Sequence, residues 1–318
     1  MILRDWFVSM RNIGWTVLFL FIPWILSAQK EPEYPKYGVQ VNLVSLDVEV
    51  LDRDGNHIWG LKKSDFVVEE NGTLMEISNF AVSTDRPVSL AAVLDTSALS
   101  VEQLIVCKTF LRTLAHDLDR KDELCLYSFD SRDAYLEQDF TSKMEPLWDA
   151  LDNIGVPSGQ SGGLLIALFG KAPPTGLAID KALQKLEEAR NGKKALLLIS
   201  NRFNGTGPAT VEHIQRSGCT LLTLAFSHKA SMVVQSGDAI STRQLMRESG
   251  GRRFSAESPD IKDVCRQMMY SLKNYYSIGY ITKAPSDDEK PRKIQIRLPG
   301  KSYKINFRRT FIPRYPPK

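Results

Sequence analysis

The stretch Val88–Ser100, VSLAAVLDTSALS, decides how this chain folds. Six of the seven residues from Val88 to Leu94 are apolar, with Ser89 the exception. A strand with that composition is buried on both faces, as in a parallel sheet covered by helices. It ends on Asp95, Thr96 and Ser97, three oxygen-bearing side chains at the carboxyl edge where open α/β sheets hold ligands and ions. An amphipathic run of helix length, Val101 to Leu118, follows at once.

Working outward, strand-like and helix-like runs alternate from Pro87 onward. The pattern predicts strands at 88–95, 123–129, 195–200 and 219–226, with a weaker one near 134–139. It predicts helices at 101–118, 143–153, 177–190, 240–249 and 260–274. This repetition implies an α/β fold with a doubly wound, mostly parallel sheet over residues 86–282. Gly250-Gly251 reads as the carboxyl cap of the 240–249 helix. The segment Val156 to Gly176, rich in Gly, Ser and Pro but interrupted by Leu164–Phe169, reads as a long loop at the top of the sheet.

Outside this domain the pattern is extended. Residues 39–84 show apolar/polar alternation, with turn signals at Asp54-Gly55 and Asn71-Gly72. Asp52–Asn56 has calcium-loop composition, but the EF-hand spacing would place Val50 and Leu61 at ligand positions, so a turn is expected. Near the other end, Lys293–Arg297 and Tyr303–Phe307 alternate around Pro299-Gly300 and read as a β-hairpin. Each piece alone has too few strands to be stable. Residues 39–84 and the basic segment 283–318 are therefore expected to pack together as one small β-subdomain.

With 43% hydrophobic and 25% charged residues over 318, the composition is that of a globular chain, neither disordered nor multi-spanning. Residues 1–28 differ: Arg4 and Arg11 precede an apolar run from Ile13 to Leu26, and Ser27-Ala28 supplies a small-residue site. That order predicts a signal peptide and export to the periplasm, cell envelope or extracellular space. The alternative is an uncleaved anchor, for which the run is short and broken by Pro23. A polar linker, 29–38, follows. From Lys283 to Lys318 eleven Lys or Arg face only Asp287, Asp288 and Glu289. This basic tail is a candidate for weak contact with an anionic envelope surface, weighed against a simply solvated basic strand pair. Cys107, Cys125, Cys219 and Cys265 fit no CxxC pattern; three disulfide pairings are open to an exported chain, yet their apolar surroundings favour buried free thiols.

The stretch around Asp95 resembles the first strand and loop of a von Willebrand factor A domain, with its Asp-x-Ser-x-Ser motif. The block Val41–Phe80, the segments RQLMRESGGRRF and SLKNYYSIGYI, and the basic carboxyl end together resemble the exported VWFA-related proteins abundant in Acidobacteria. That resemblance implies a metal-ion-dependent adhesion site, in which three loops hold Mg²⁺ or Ca²⁺ through oxygen donors and the cation accepts a partner's carboxylate. In the first loop Asp95 and Ser97 match, but Leu99 stands where the second Ser belongs and Ser100 comes one residue late. In the second, matching Gly176-x-Ala178-Ile179 puts Pro173 at the Thr position and makes Thr175 its neighbour. In the third, Asn201 replaces the Asp and Arg202 adds a positive charge. Asp95, Ser97, Thr175 and Asn201 are thus the candidate ligands of a degenerate site. No tight metal binding and no other cofactor are expected.

The resemblance, with this loss, points to an exported, non-enzymatic protein-interaction or adhesion module binding an unidentified protein through its sheet-edge loops. A second reading is a cell-envelope scaffold that acts through its β-region. A remote one is a serine hydrolase, since Gly159–Gly163 matches Gly-x-Ser-x-Gly with Ser161 as nucleophile and Asp180 plus His213 or His228 in the right chain order. No buried strand precedes Ser161, as a nucleophile elbow requires. Scattered histidines argue against zinc, the wrong spacing after Gly163 argues against a phosphate loop, and nucleic acid is not an expected partner.

Overall fold

The computed structural model describes residues 42–97, 99–155, 175–201, 206–226, 242–283 and 290–313. The expected signal peptide, the linker, residues 156–174 of the expected 156–176 loop (Ser161 and Pro173 among them), Arg202 and His228 lie outside them, while Thr175 and Gly176, expected in that loop, are helical. No described helix is long and apolar enough to cross a membrane.

In chain order the elements begin with β1 (Leu43–Leu51), a 3-10 turn (Lys63–Asp65), β2 (Val67–Glu70), β3 (Thr73–Met75) and β4 (Ile77–Ser83). Next come β5 (Val88–Asp95), α1 (Val101–His116), β6 (Glu123–Phe129), β7 (Ala134–Thr141), α2 (Met144–Asn153) and α3 (Thr175–Glu187). They continue with β8 (Lys193–Ile199), α4 (Pro208–Ser217), β9 (Thr220–Ala225), α5 (Thr242–Ser249), β10 (Arg253–Ser255) and α6 (Ile261–Lys273). The chain closes with β11 (Tyr275–Ile281), β12 (Arg292–Arg297), β13 (Lys304–Asn306) and β14 (Thr310–Phe311).

Six strands form one sheet in the order β10-β9-β8-β5-β6-β7. Every pair in it is parallel except β6 with β7. The weak strand expected near 134–139 is thus an antiparallel edge. With six α-helices among the described residues, this mixed α/β architecture is compatible with a von Willebrand A-like fold. Period-two alternation explains how β5 serves two cores at once. Val88, Leu90, Ala92 and Leu94 pack with residues of α1, α2 and α6 on one face. Ala91 and Val93 pack with α3, α4 and α5 on the other. All four cysteines are free and buried within these layers. Burial pushes the thiols of Cys107, Cys219 and Cys265 up to about 12, so they are inert at neutral pH.

Four elements were not expected: α4, the short β10, β11 and β14. Helix α4 buries only Thr210, Val211 and Ile214, too thin a stripe to stand out by period. Its legible signals are the ends: Pro208 in the first turn, and Gly218 at φ 67 just past the last.

The other strands form two four-stranded sheets, β13-β1-β11-β4 and β14-β12-β2-β3. Val44, Leu46, Val48, Tyr276 and Ile278 from the first share a core with Val68, Ile294 and Ile296 from the second. Asn71 (φ 48) and Gly72 (φ 79) make the tight turn between β2 and β3. Strand β11, inside the 86–282 span assigned above to the α/β domain, pairs with β1 and β4. The carboxyl-terminal hairpin is corrected. Among the described residues β12 pairs with β2 and β14, and β13 pairs with β1, not with β12. The turn at Gly300 (φ 74) lies between β12 in one sheet and β13 in the other, and Ile296 and Phe307 on either side of it in the chain bury in the same core.

Candidate functional site

Strand order reverses at β5: β6 and β7 lie to one side, β8, β9 and β10 to the other. The carboxyl ends of β5 and β8 therefore flank a topological switch point, where open α/β sheets form their crevice. Asp95 ends β5 fully buried, and Ser200 follows β8. The Ser200 hydroxyl donates to Asp95 Oδ2 at 2.6 Å, bridging the two strand ends. Asp95 Oδ1 accepts from the Ser97 amide at 3.0 Å and the Ser97 hydroxyl at 2.7 Å. Thr96 turns away, its hydroxyl donating to the Phe129 carbonyl at 3.0 Å.

The rest of the candidate set is placed less like a cation cage. Leu99 is buried in the core with Leu104 and the even-numbered face of β5. Ser100, one residue late for the motif, is the amino-terminal cap of α1: its hydroxyl accepts from the Gln103 amide at 3.3 Å, and Gln103 Oε1 accepts from the Ser100 amide at 3.1 Å. Asn201 is engaged at both ends. Its Nδ2 donates to Gln103 Oε1 at 2.9 Å, and its Oδ1 accepts from the Phe226 amide at 3.2 Å. Thr175 opens α3, which packs on β5, and is fully buried; its hydroxyl lacks a hydrogen-bond partner among the described residues.

A hard divalent cation needs several oxygen donors free to face it. Of this set only Asp95 carries a negative charge, and both its oxygens already accept from neighbouring hydroxyls. No group of three or more His, Cys, Asp or Glu suited to a metal occurs among the described residues. The residues as placed do not fit Mg²⁺ or Ca²⁺. Two members went unnoticed in the sequence. Ser200 was legible as the hydroxyl preceding Asn201; Gln103, which joins the α1 cap to the third loop, was legible only as the third residue of a capping box.

Of the residues named for hydrolysis, Asp180 and His213 do meet, Oδ1 to Nδ1 at 3.1 Å, and the Thr210 hydroxyl donates to Asp180 Oδ2 at 2.9 Å. These contacts tie α3 to α4, while Ser161 and His228 lie outside the described residues.

No protein-family profile and no curated protein sequence matches the chain. Among solved structures, proximal thread matrix protein 1 from the mussel byssus is similar at TM-score 0.43 and 11% identity, over 59% of this chain and 49% of that one. This chain thus spans about half of that protein. A second structure of the same mussel protein gives 0.45 and 10%, over 64% and 51%. The SpRpn10 VWA domain gives 0.41 and 7%, over 57% and 95%. Likeness at this level carries no argument about activity.

Proposed function

We propose that the chain is an exported, non-enzymatic protein-interaction module that binds its partner through the loops at the carboxyl edge of the six-stranded sheet, without a bound cation. One observation carries the reading: at the switch point Asp95 is tied down by Ser97 and Ser200, and Asn201 by Gln103 and Phe226. A site closed this way offers a preformed surface instead of an open coordination position. Contact there would rest on side chains around it, such as Glu102, exposed in the first turn of α1, and Ser100, its exposed cap.

Photocrosslinking tests this directly. A photoreactive residue at Glu102 should yield a discrete protein adduct in native envelope extract, and a chelator should leave it unchanged. The same residue at exposed Thr73 on β3 should yield none. Adducts from Thr73 alone would favour the scaffold reading, and loss of the Glu102 adduct on chelation would mean that a cation is required.

A further inference from the structure

Helix α5, the start of β10 and the segment through β13 to Arg309 line an open cavity of about 490 Å³. Six cationic side chains line it: Arg243, Arg247, Arg252, Arg253, Lys304 and Arg309. No acidic residue among the described ones does. Arg252 is held by Glu49 at 2.8 Å, and Arg253 donates to the Phe226 carbonyl at 3.3 Å. Arg243, Arg247, Lys304 and Arg309 have no carboxylate within ion-pair distance among the described residues. The Arg309 guanidinium lies 4.0 Å over the Phe307 ring. Burial, and then the Arg247 charge, hold Arg309 below the ordinary guanidinium value, against a weaker pull from Glu248.

Like charges gathered in a concavity repel, and a low-dielectric wall strengthens that repulsion. Folding accepts such a cost most readily where an anion relieves it. Guanidinium forks match the oxygens of phosphate and sulfate in bidentate pairs, and here they come from three parts of the chain: α5, the start of β10 and the segment after β13. The volume lies within the range of small-molecule sites, about 300–1,000 Å³, and exceeds what one tetrahedral anion fills. Met246, Ile305 and Phe307 add apolar wall for a carbon skeleton.

We propose that this cavity binds an anion carrying two or more phosphate or sulfate groups. It shares no residue with the Asp95 loops, so it stands or falls separately from the reading above.

Calorimetric titration of the full chain with inorganic tripolyphosphate tests it, with orthophosphate as comparator. Saturable binding is expected, tighter for tripolyphosphate and weaker at higher salt. Arg243→Ala and Arg247→Ala, both at exposed helix positions, should each weaken it roughly tenfold or more with unchanged melting temperature. Lys62→Ala with Lys63→Ala, equally exposed cations elsewhere, should leave it unchanged. Absence of saturation, or equal loss in the Lys62/Lys63 variant, would overturn the site. Sedimentation with phosphatidylcholine vesicles, with and without phosphatidylglycerol, separates the sources. Binding to the anionic vesicles that tripolyphosphate reverses supports a lipid headgroup as ligand, and tripolyphosphate binding without vesicle binding supports a soluble one.

Discussion

Leu99 decides more than any other residue. At the position where a cation-binding loop needs a hydroxyl, it instead fills the core beneath α1 at 5% exposure. Restoring the hydroxyl should therefore not restore a site. Leu99→Ser removes buried methyl groups and buries an oxygen, so a loss of about 2–5 kcal/mol is expected by denaturant melting. Calorimetry with Mg²⁺ should still show no saturable binding, because Asn201 remains committed to Gln103 and Phe226. Saturable binding by the variant would mean that Leu99 alone had closed the site. Leu99 as a substitution was legible in sequence, and so was the exchange of acid for amide at Asn201. What the Asn201 amide does was not, since Gln103 and Phe226 are distant in the chain.

At the scale of elements, local signals carried most of the secondary structure. The apolar run of β5, the amphipathic run of α1 and the Asn71-Gly72 turn each depend on chemistry within a few residues. The Gly250-Gly251 pair shows where such reading stops. Gly250, at φ 74, ends α5 as a cap should. A Cβ on Gly251, however, would lie 1.7 Å from the Leu221 carbonyl oxygen of β9, a backbone atom in a parallel sheet. Gly251→Ala is therefore expected to cost several kcal/mol, on the order of 3 or more, whereas Gly192→Ala, with nothing within 4 Å of its Cβ, should be near neutral in the same thermal melts. Equal melting temperatures for the two variants would contradict this close approach of α5's exit to β9.

At the scale of the whole molecule, Glu49 joins the sheets to the α/β layers. It is buried on β1 and bonded to His57 at 2.8 Å, Arg252 at 2.8 Å and the Asn306 amide at 2.6 Å. Burial opposes its ionisation, but the His57 bond, the Arg252 charge and the Asn306 bond outweigh that and bring it from 4.5 down to about 2. A carboxyl lowered in the folded state contributes stability above its unfolded value and loses it as pH falls toward the folded one. Melts of the native chain should thus lose stability between about pH 4.5 and 2, by about 3 kcal/mol from this residue. Glu49→Gln should flatten that part of the profile while lowering stability at pH 7, since Arg252 keeps its charge without an acid partner. An unchanged acid limb would show that Glu49 does not hold the layers together. The sequence by itself determined the α/β alternation, the strand at 88–95 and the damaged motif after it, because period, apolarity and turn chemistry act over short spans. Only the tertiary structure decided that β12 and β13 part to different sheets, that β11 crosses into the small sheet, and that Asp95 is closed by Ser200. Each of those rests on hydrogen bonds and burial between residues far apart in the chain, to which local composition is blind.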